Sequence, residues 1–248
     1  DSVLIRGCTG FGAWESFTTN GHRLAGRNFD WESSPVFDRG RMVIFCEPAR
    51  GIPFISLAWG GMVGCVSAMN REGISITING APSKLPRTPG TPTCLVARKV
   101  VQYATTLDEA VSIITESKPF VSAFFLVGSR KDGRFIVVEK TPERTMVRKS
   151  DTTLIVCANH YMTPGLADDP INLAYMTNDT SVARYARALE LLRQAKGQLD
   201  PARSAGILRD RSIAGGTFAG NGHRSSLNPL IATHSVLLDL TDGIFWAS

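Results

Sequence analysis

Cys8 is the residue of this chain whose neighbours best equip it to react. It stands in Gly7-Cys8-Thr9-Gly10, a polar, turn-like setting, whereas Cys46, Cys65, Cys94 and Cys157 lie in largely apolar runs that suit small buried hydrophobes. A cysteine becomes a nucleophile when a neighbour lowers its pKa or accepts its proton. If the Gly7–Cys8 bond is cut, Cys8 supplies its own base, an α-amine with an ordinary pKa of roughly 7.7–8.0. Gly7 suits such a cut, because glycine tolerates the strained backbone that an intramolecular attack requires. The run Gly26-Arg27-Asn28-Phe29-Asp30-Trp31 adds Arg27, which would stabilise a thiolate, and Asp30, which would hold the ammonium form of the amine. Asn79 and Asn159 offer uncharged N–H donors for an oxyanion, a role worth about 2.7–4 kcal/mol per donor. Plainer readings stand beside these: Cys8 as a buried structural thiol, Arg27 and Asp30 as a hairpin ion pair worth roughly 0–1 kcal/mol, and Asn79 as a turn residue before Gly80.

The elements that must position these groups follow from hydrophobic pattern and turn signals. Residues 8–14 and 23–29 read as two short strands joined at Thr19-Asn20-Gly21, which puts Cys8 on one strand and Arg27 and Asp30 at the far end of the other. Strands are expected at 42–45 and 54–59, a glycine-rich loop at 60–64, a turn at 69–73, and an alternating strand at 74–79 that ends on Asn79. The Pro-rich passage 82–92 reads as a loop, long enough to rim a substrate site. Helices are expected at 95–103 and at 106–116, the second capped by Thr106 with Leu107, Ala110, Val111 and Ile114 on one face. Strands return at 123–128, 135–139, 145–148 and 153–158, and Asn159-His160-Tyr161 stands just past the last. Helices at 181–195, with Asp179, Thr180 or Ser181 as cap, and at 200–209 precede a closing hairpin of 231–240 and 244–247. Strands at both ends with helices grouped between them predict a single α+β domain of two antiparallel sheets covered by helices, with no interior linker.

Composition excludes several classes. The net charge of +5 arises from 27 basic and 22 acidic residues, scattered as in Arg148-Lys149 or Arg209 and Arg211, so no nucleic-acid partner is expected. Five cysteines without a C-x-x-C pair fit neither a zinc cluster nor a full disulfide framework. No run approaches the roughly 20 apolar residues of a membrane span, and no signal peptide is visible. The chain begins at Asp1 without methionine, which leaves room for an upstream segment. His160 and His234 read as hydrogen-bonding residues near strand ends; a thiol–histidine peptidase would need one of the four histidines beside Cys8. Trp14, Phe29, Trp31 and Trp59 suit either an acyl pocket or the core.

The pieces G-C-T, G-R-N-F-D-W, N-R-E-G-I-S-I-T-I-N-G, F-I-V-V-E-K-T, the asparagine of A-N-H-Y, and S-V-A-R-Y-A-R occur here in an order that resembles the N-terminal-nucleophile (Ntn) hydrolases. The branch it looks most like is the autoproteolytic isopenicillin-N acyltransferase group, related to bile-salt hydrolases, penicillin V acylases and acid ceramidases. The resemblance implies a four-layer αββα sandwich. It implies Cys8 as the nucleophile freed by self-cleavage after Gly7, with its amine as general base. It places Arg27 and Asp30 next to the nucleophile, Asn79 at the oxyanion hole, Asn159 as the group that orients the amine, and Arg184 as a later active-site arginine. Residues 1–7 then form a pro-segment remnant and 8–248 one catalytic domain. The implied substrate is a small N-acyl amide or acyl thioester, with no metal or organic cofactor, and a cleaved upstream segment and a homo-oligomer are open. Members with a Gly-Cys junction usually carry a longer segment before it than the seven residues here, so a chain still joined at Gly7–Cys8 is expected to be an inactive precursor. A catalytically silent Ntn-fold binding or assembly domain is the alternative.

Overall fold

The protein is described by a computed structural model over residues 5–32, 39–83 and 88–248. Residues 1–4 of the expected pro-segment and 84–87 of the Pro-rich loop lie outside the described residues. The first hairpin pairs β1 (Ile5–Glu15) with β2 (Gly21–Glu32), and both strands run well beyond the expected 8–14 and 23–29. A meander follows: β3 (Arg41–Cys46), β4 (Phe54–Trp59), β5 (Ser67–Asn70), β6 (Ile74–Gly80), β7 (Ala123–Ser129), β8 (Arg134–Lys140) and β9 (Thr145–Arg148). These seven form one sheet in sequence order. β10 (Leu154–Cys157), β11 (Ala232–Asp239) and β12 (Ile244–Ala247) join the hairpin in a second sheet of order β10-β1-β2-β11-β12. All the strand pairings within the two sheets are antiparallel.

Helices close both outer faces. Between β6 and β7 run α1 (Thr93–Tyr103) and α2 (Leu107–Glu116); after β10 come α3 (Pro170–Asn178), α4 (Ser181–Gln194) and α5 (Pro201–Leu208). Three apolar layers hold sheets and helices together. Ile74, Ile76, Phe125, Val127 and Val138 pack outward on Val96, Val100 and Ile114 of α1 and α2. Phe124, Leu126, Phe135 and Val137 face Trp14, Ala25, Ile155 and Leu238 between the sheets. Phe11, Ala13, Leu24 and Val156 pack on Ala188, Leu192, Ile207 and Leu208 of α4 and α5. Because successive side chains on a strand point to opposite faces, strands buried on both faces read as unbroken apolar runs, as in Ala123–Ser129. The expected α+β sandwich, αββα in its layers, is therefore the fold.

Local differences have physical reasons. The turn expected from Met69 begins later, because Ser67–Asn70 pairs with both β4 and β6 as a short strand. Helix α3 was not expected; Asp169 caps it and Pro170 opens it, but only Asn172 is buried, so it carries no apolar stripe to read. At α4 the cap contact is Asp179 accepting from the Ser181 amide at 2.8 Å, while Thr180 makes no side-chain cap bond. Cys46 and Cys94 are half-buried rather than buried, and all five thiols are free. No helix among the described residues is long and apolar enough to cross a membrane.

The inter-sheet layer depends on glycine at one close approach. A Cβ at Gly12 of β1 would lie 2.3 Å from Cγ of Phe135, whose ring also fills the space over Gly128. Gly12→Val should therefore lower the unfolding free energy by about 1–3 kcal/mol, the usual cost of overpacking. Denaturant titration reads this directly, and Phe135→Leu in the same chain should restore part of the loss; an unchanged midpoint in Gly12→Val would refute the packing.

Candidate active site

Strand register assembles the site. Across β1 and β2, Gly7 faces Asp30, Cys8 faces Phe29 and Gly10 faces Arg27; across β2 and β11, Phe29 faces His234. Cys8, Phe29 and His234 thus form a row on three neighbouring strands, and the His234 ring stacks on Phe29 at 5.0 Å between centroids. Cys8 is 3% exposed and packs with Phe29 and Val66, with Trp31, Trp59, Met62 and Cys94 around them. Phe29, Trp31 and Trp59 therefore stand beside the thiol. Trp14 belongs to the inter-sheet core, 5.7 Å from Phe135.

Arg27 is fully buried under this row. Its Nη2 donates to Cys8 Sγ at 3.3 Å and to the Ile78 carbonyl; its Nη1 donates to Ser67 Oγ at 3.1 Å and to His234 Nε2 at 3.2 Å. The guanidinium carbon lies 4.3 Å over the Phe29 ring. Burial pulls the Arg27 pKa down from its ordinary value, and the neighbouring Cys8 and Asp30 push it back up.

The backbone of Cys8 is held as firmly as its sulfur. Its amide donates to Asn159 Oδ1 at 2.9 Å, and the same oxygen accepts from Arg184 Nη2 at 2.9 Å. Arg184 Nη1 donates to the Cys8 carbonyl at 2.7 Å and to Thr9 Oγ1 at 2.8 Å. Asn159 is fixed in turn: its amide donates to Ser181 Oγ at 2.7 Å and its Nδ2 to the Gly80 carbonyl at 2.8 Å. The end of β10 and the start of α4 are thereby fastened to the strand that carries Cys8.

Asp30 is buried and neither carboxyl oxygen has a hydrogen-bond partner among the described residues. Burial raises its pKa to about 7, against the lowering pull of Arg184, Arg27 and Arg224. A Cβ on Gly7 would lie 3.0 Å from Asp30 Oδ2 and 3.3 Å from the Arg184 guanidinium carbon. Gly7 lies in β1 outside the positive-φ region. A side chain at Gly7 would crowd a carboxyl and a guanidinium.

The structure brings Cys8, Arg27, Asp30, Asn159 and Arg184 together. Asn79 donates through its amide nitrogen to the carbonyls of Cys157 at 3.1 Å and Ala158 at 3.0 Å, which ties β6 to the end of β10 just before Asn159. Sequence reasoning did not single out Thr9, Ser67 or Ser181 as site partners; Thr9 had a signal in the G-C-T run, whereas Ser67 had none. Among the described residues Sγ hydrogen-bonds with Arg27, and no histidine reaches it. His160 bonds Ser181 Oγ at 2.8 Å and is pushed down to about 4 by burial and then by Arg148 and Arg184. The described group with metal-ligand chemistry, His22 with Asp239 and Asp242, lies at the other end of β2. There His22 Nδ1 is 2.7 Å from one Asp239 oxygen while the other accepts the Thr241 and Asp242 amides.

A strand-borne cysteine backed by arginine in a four-layer αββα sandwich defines an Ntn-hydrolase fold. Solved structures with this fold are similar over most of their length. An N-acylethanolamine-hydrolyzing acid amidase ortholog of Caenorhabditis elegans has TM-score 0.68 at 14% identity, covering 94% of this chain and 93% of that one. A mutant of the conjugated bile acid hydrolase of Clostridium perfringens has TM-score 0.65 at 15% identity, over 97% and 88%. Penicillin V acylase of Agrobacterium tumefaciens has TM-score 0.59 at 17% identity, over 97% and 82%. In sequence the chain is 31% identical over 217 residues to an uncharacterised protein of Archaeoglobus fulgidus, covering 78% of this chain and 35% of that protein. It thus spans about a third of that curated relative. Residues 17–214 match the acyl-coenzyme A:6-aminopenicillanic acid acyl-transferase family, and the chain belongs to that family. The matched segment holds Arg27, Asp30, Asn79, Asn159 and Arg184, and it begins after Cys8.

The unpartnered Asp30 carboxyl gives a pH signature. Its folded pKa of about 7 stands above the ordinary 3.8, so between those values the folded chain binds more protons than the unfolded chain. Its contribution to stability is therefore full below the ordinary value and is lost as pH rises to about 7. In a Cys8→Ala background, the stability difference between the Asp30→Asn variant and its parent should shift in favour of the variant across that window, by an amount on the order of a few kcal/mol at most. Equilibrium denaturation at several pH values checks this; a pH-independent difference would refute the raised pKa.

Proposed function

We propose that this chain is a cysteine Ntn amidohydrolase or acyltransferase, made as a precursor that cleaves itself between Gly7 and Cys8. It then acts on a small N-acyl amide or acyl thioester through a thioester on Cys8. The observation that carries this reading is the grip on the Cys8 backbone nitrogen: its N–H points at Asn159 Oδ1, an oxygen also bound by Arg184, while Arg27 donates to the sulfur of the same residue. A structural cysteine needs no such cradle around its main-chain nitrogen; an α-amine that must be oriented does.

In self-cleavage Sγ attacks the Gly7 carbonyl carbon, the C–N bond breaks, and the thiol proton ends on the Cys8 nitrogen. Water then hydrolyses the thioester, leaving a carboxylate on Gly7 and a free thiol and α-amine on Cys8. In turnover the α-amine takes the thiol proton as Sγ attacks the acyl carbonyl and returns it to the leaving amine or thiol. Water or an acceptor amine next attacks the thioester, giving its proton to the same α-amine, which passes one back to the sulfur. Arg27, 3.3 Å from Sγ, stabilises the thiolate. Asp30, beside Gly7, holds the ammonium form. Asn159 Nδ2 gives one N–H to Gly80 and keeps its second for the oxyanion, and Asn79 acts as a positioning residue that pins Cys157 and Ala158 just before Asn159.

Intact mass and N-terminal sequencing of freshly folded protein should find Cys8 as the first residue of a processed chain, and Cys8→Ala should stay whole. Asn159→Ala should lower single-turnover acylation of an N-acyl probe by on the order of 10²–10³. A wild-type chain that stays intact at Gly7 and whose Cys8 ignores a thiol-reactive acyl probe would sink this reading in favour of a catalytically silent domain.

A further inference from the structure

The main-chain directions along β1 and β2 show how the residues before Cys8 are held. Trp14 donates its main-chain N–H to the Thr153 carbonyl at 3.0 Å, and Cys8 donates its own to Asn159 Oδ1 on the same side. Because main-chain groups alternate along a strand, the even-numbered residues of β1 turn theirs toward β10 and the odd-numbered ones toward β2. On β2 the Trp31 N–H goes to the Ile231 carbonyl at 2.9 Å, away from β1, so Asp30 and Glu32 present their main-chain groups to β1. In the register that sets Gly7 against Asp30 and Ile5 against Glu32, both are therefore hydrogen-bonded pairs. The Gly7 N–H donates to the Asp30 carbonyl, and the Gly7 carbonyl accepts from the Asp30 N–H.

Chemistry links that strand to the substrate. Self-cleavage passes through a thioester on Cys8 Sγ whose acyl group is Gly7, and turnover passes through a thioester on the same sulfur. The two intermediates differ only in the acyl group, so the path of residues 5–7 along β2 is the path of the substrate acyl chain once the cleaved segment has left it. Asp30 is 1% exposed, and its main-chain N–H and C=O then need new partners. A hydrocarbon acyl chain offers them only the reacting carbonyl. An acyl group with an N–H one carbon before that carbonyl satisfies both. The carbon between them has to be small, since a Cβ at Gly7 would lie 3.0 Å from Asp30 Oδ2 and 3.3 Å from the Arg184 guanidinium carbon.

We propose that the acyl group this site takes is N-acylglycyl, bound as a short added strand along Asp30–Glu32 of β2; this rests on the reading of Cys8 as a self-freed nucleophile. The glycyl N–H donates to the Asp30 carbonyl, the Asp30 N–H donates to the reacting carbonyl, and a longer, peptidyl acyl group reaches the main chain of Glu32 as Ile5 does. In acylation Sγ bonds to the glycyl carbonyl carbon, the bond from that carbon to the leaving nitrogen or sulfur breaks, and the thiol proton passes through the α-amine to the leaving group. Hydrolysis of the thioester then releases an N-acylglycine.

The test is single-turnover acylation of Cys8 in the processed protein, read by intact mass and peptide mapping, with the thiophenyl esters of three acids. These are N-acetylglycine, 4-oxopentanoic acid, in which a methylene replaces the N–H, and N-acetyl-L-alanine. The N-acetylglycyl ester should react about tenfold faster than the 4-oxopentanoyl ester, which lacks one hydrogen bond, and about tenfold faster than the alanyl ester, which crowds Asp30 and Arg184. Gly7→Ala should slow self-cleavage of the full chain by a similar factor, because it places the same methyl group in the same position. Either rival ester reacting as fast as the N-acetylglycyl ester, or Gly7→Ala cleaving at the wild-type rate, would overturn the inference and leave Cys8 as nucleophile. Failure of all three esters would overturn it as well, and N-terminal sequencing then separates the two readings: a chain that starts at Cys8 keeps the self-freed nucleophile, and one intact at Gly7 loses both.

Discussion

The rest of the site depends on the buried Arg184 guanidinium. Helix α4 delivers it from one side of the five-stranded sheet, and its planar fork reaches the Cys8 carbonyl, Thr9 Oγ1 and Asn159 Oδ1 together. Two of those acceptors lie on β1 and one just past β10, so a single side chain fixes the helix, the strand and the following loop to one another. A lysine would bring the charge without the fork geometry. Removing such a partner leaves buried acceptors and nearby carboxyls uncompensated, a loss on the order of 3–5 kcal/mol. Asp179, 3.6 Å away, supplies negative charge beside Arg184 in so dry a place.

β1 then serves two layers at once. Its period of two sends the Cys8 side chain inward toward Arg27 and Val66, and sends Thr9 to the face where Arg184 lies. The main-chain N–H and C=O of Cys8 meet Asn159 and Arg184. A slip of one residue in the β1–β2 register would exchange these faces and bury the thiol among the helices. The pairing runs from Ile5 with Glu32 to Glu15 with Gly21, on both sides of the Cys8–Phe29 pair, and that length guards the register.

Much of this was legible in the sequence, and the exceptions share a cause. The hairpin and the G-R-N-F-D-W run put Arg27 and Asp30 near Cys8 because cross-strand pairing is a local consequence of the turn. Asn159 was legible as a polar residue just past an apolar strand. Asn79 was legible in the same way, but sequence gives the place of a side chain at a strand end and not its partners, here the carbonyls of Cys157 and Ala158. On α4, Arg184 and Arg187 are three residues apart and share a face; only the fold separates a buried arginine at Cys8 from one that pairs with Asp210 at 2.9 Å. Ser67 and His234 join Arg27 across separations of 40 and 207 residues, which no pattern of spacing reports.

The charge balance around Cys8 also bears on how an α-amine could work there. The uncleaved cluster holds two buried guanidiniums, Arg27 and Arg184, and one carboxyl, Asp30, that burial raises to about 7. On the proposed reading, cleavage adds an amine whose ordinary pKa is roughly 7.7–8.0. An ammonium beside Arg184 is disfavoured by like charge, while an ionised Asp30 favours it. The ionisation of each group therefore depends on that of the other. A base poised in this way can accept the thiol proton and release it again within one cycle.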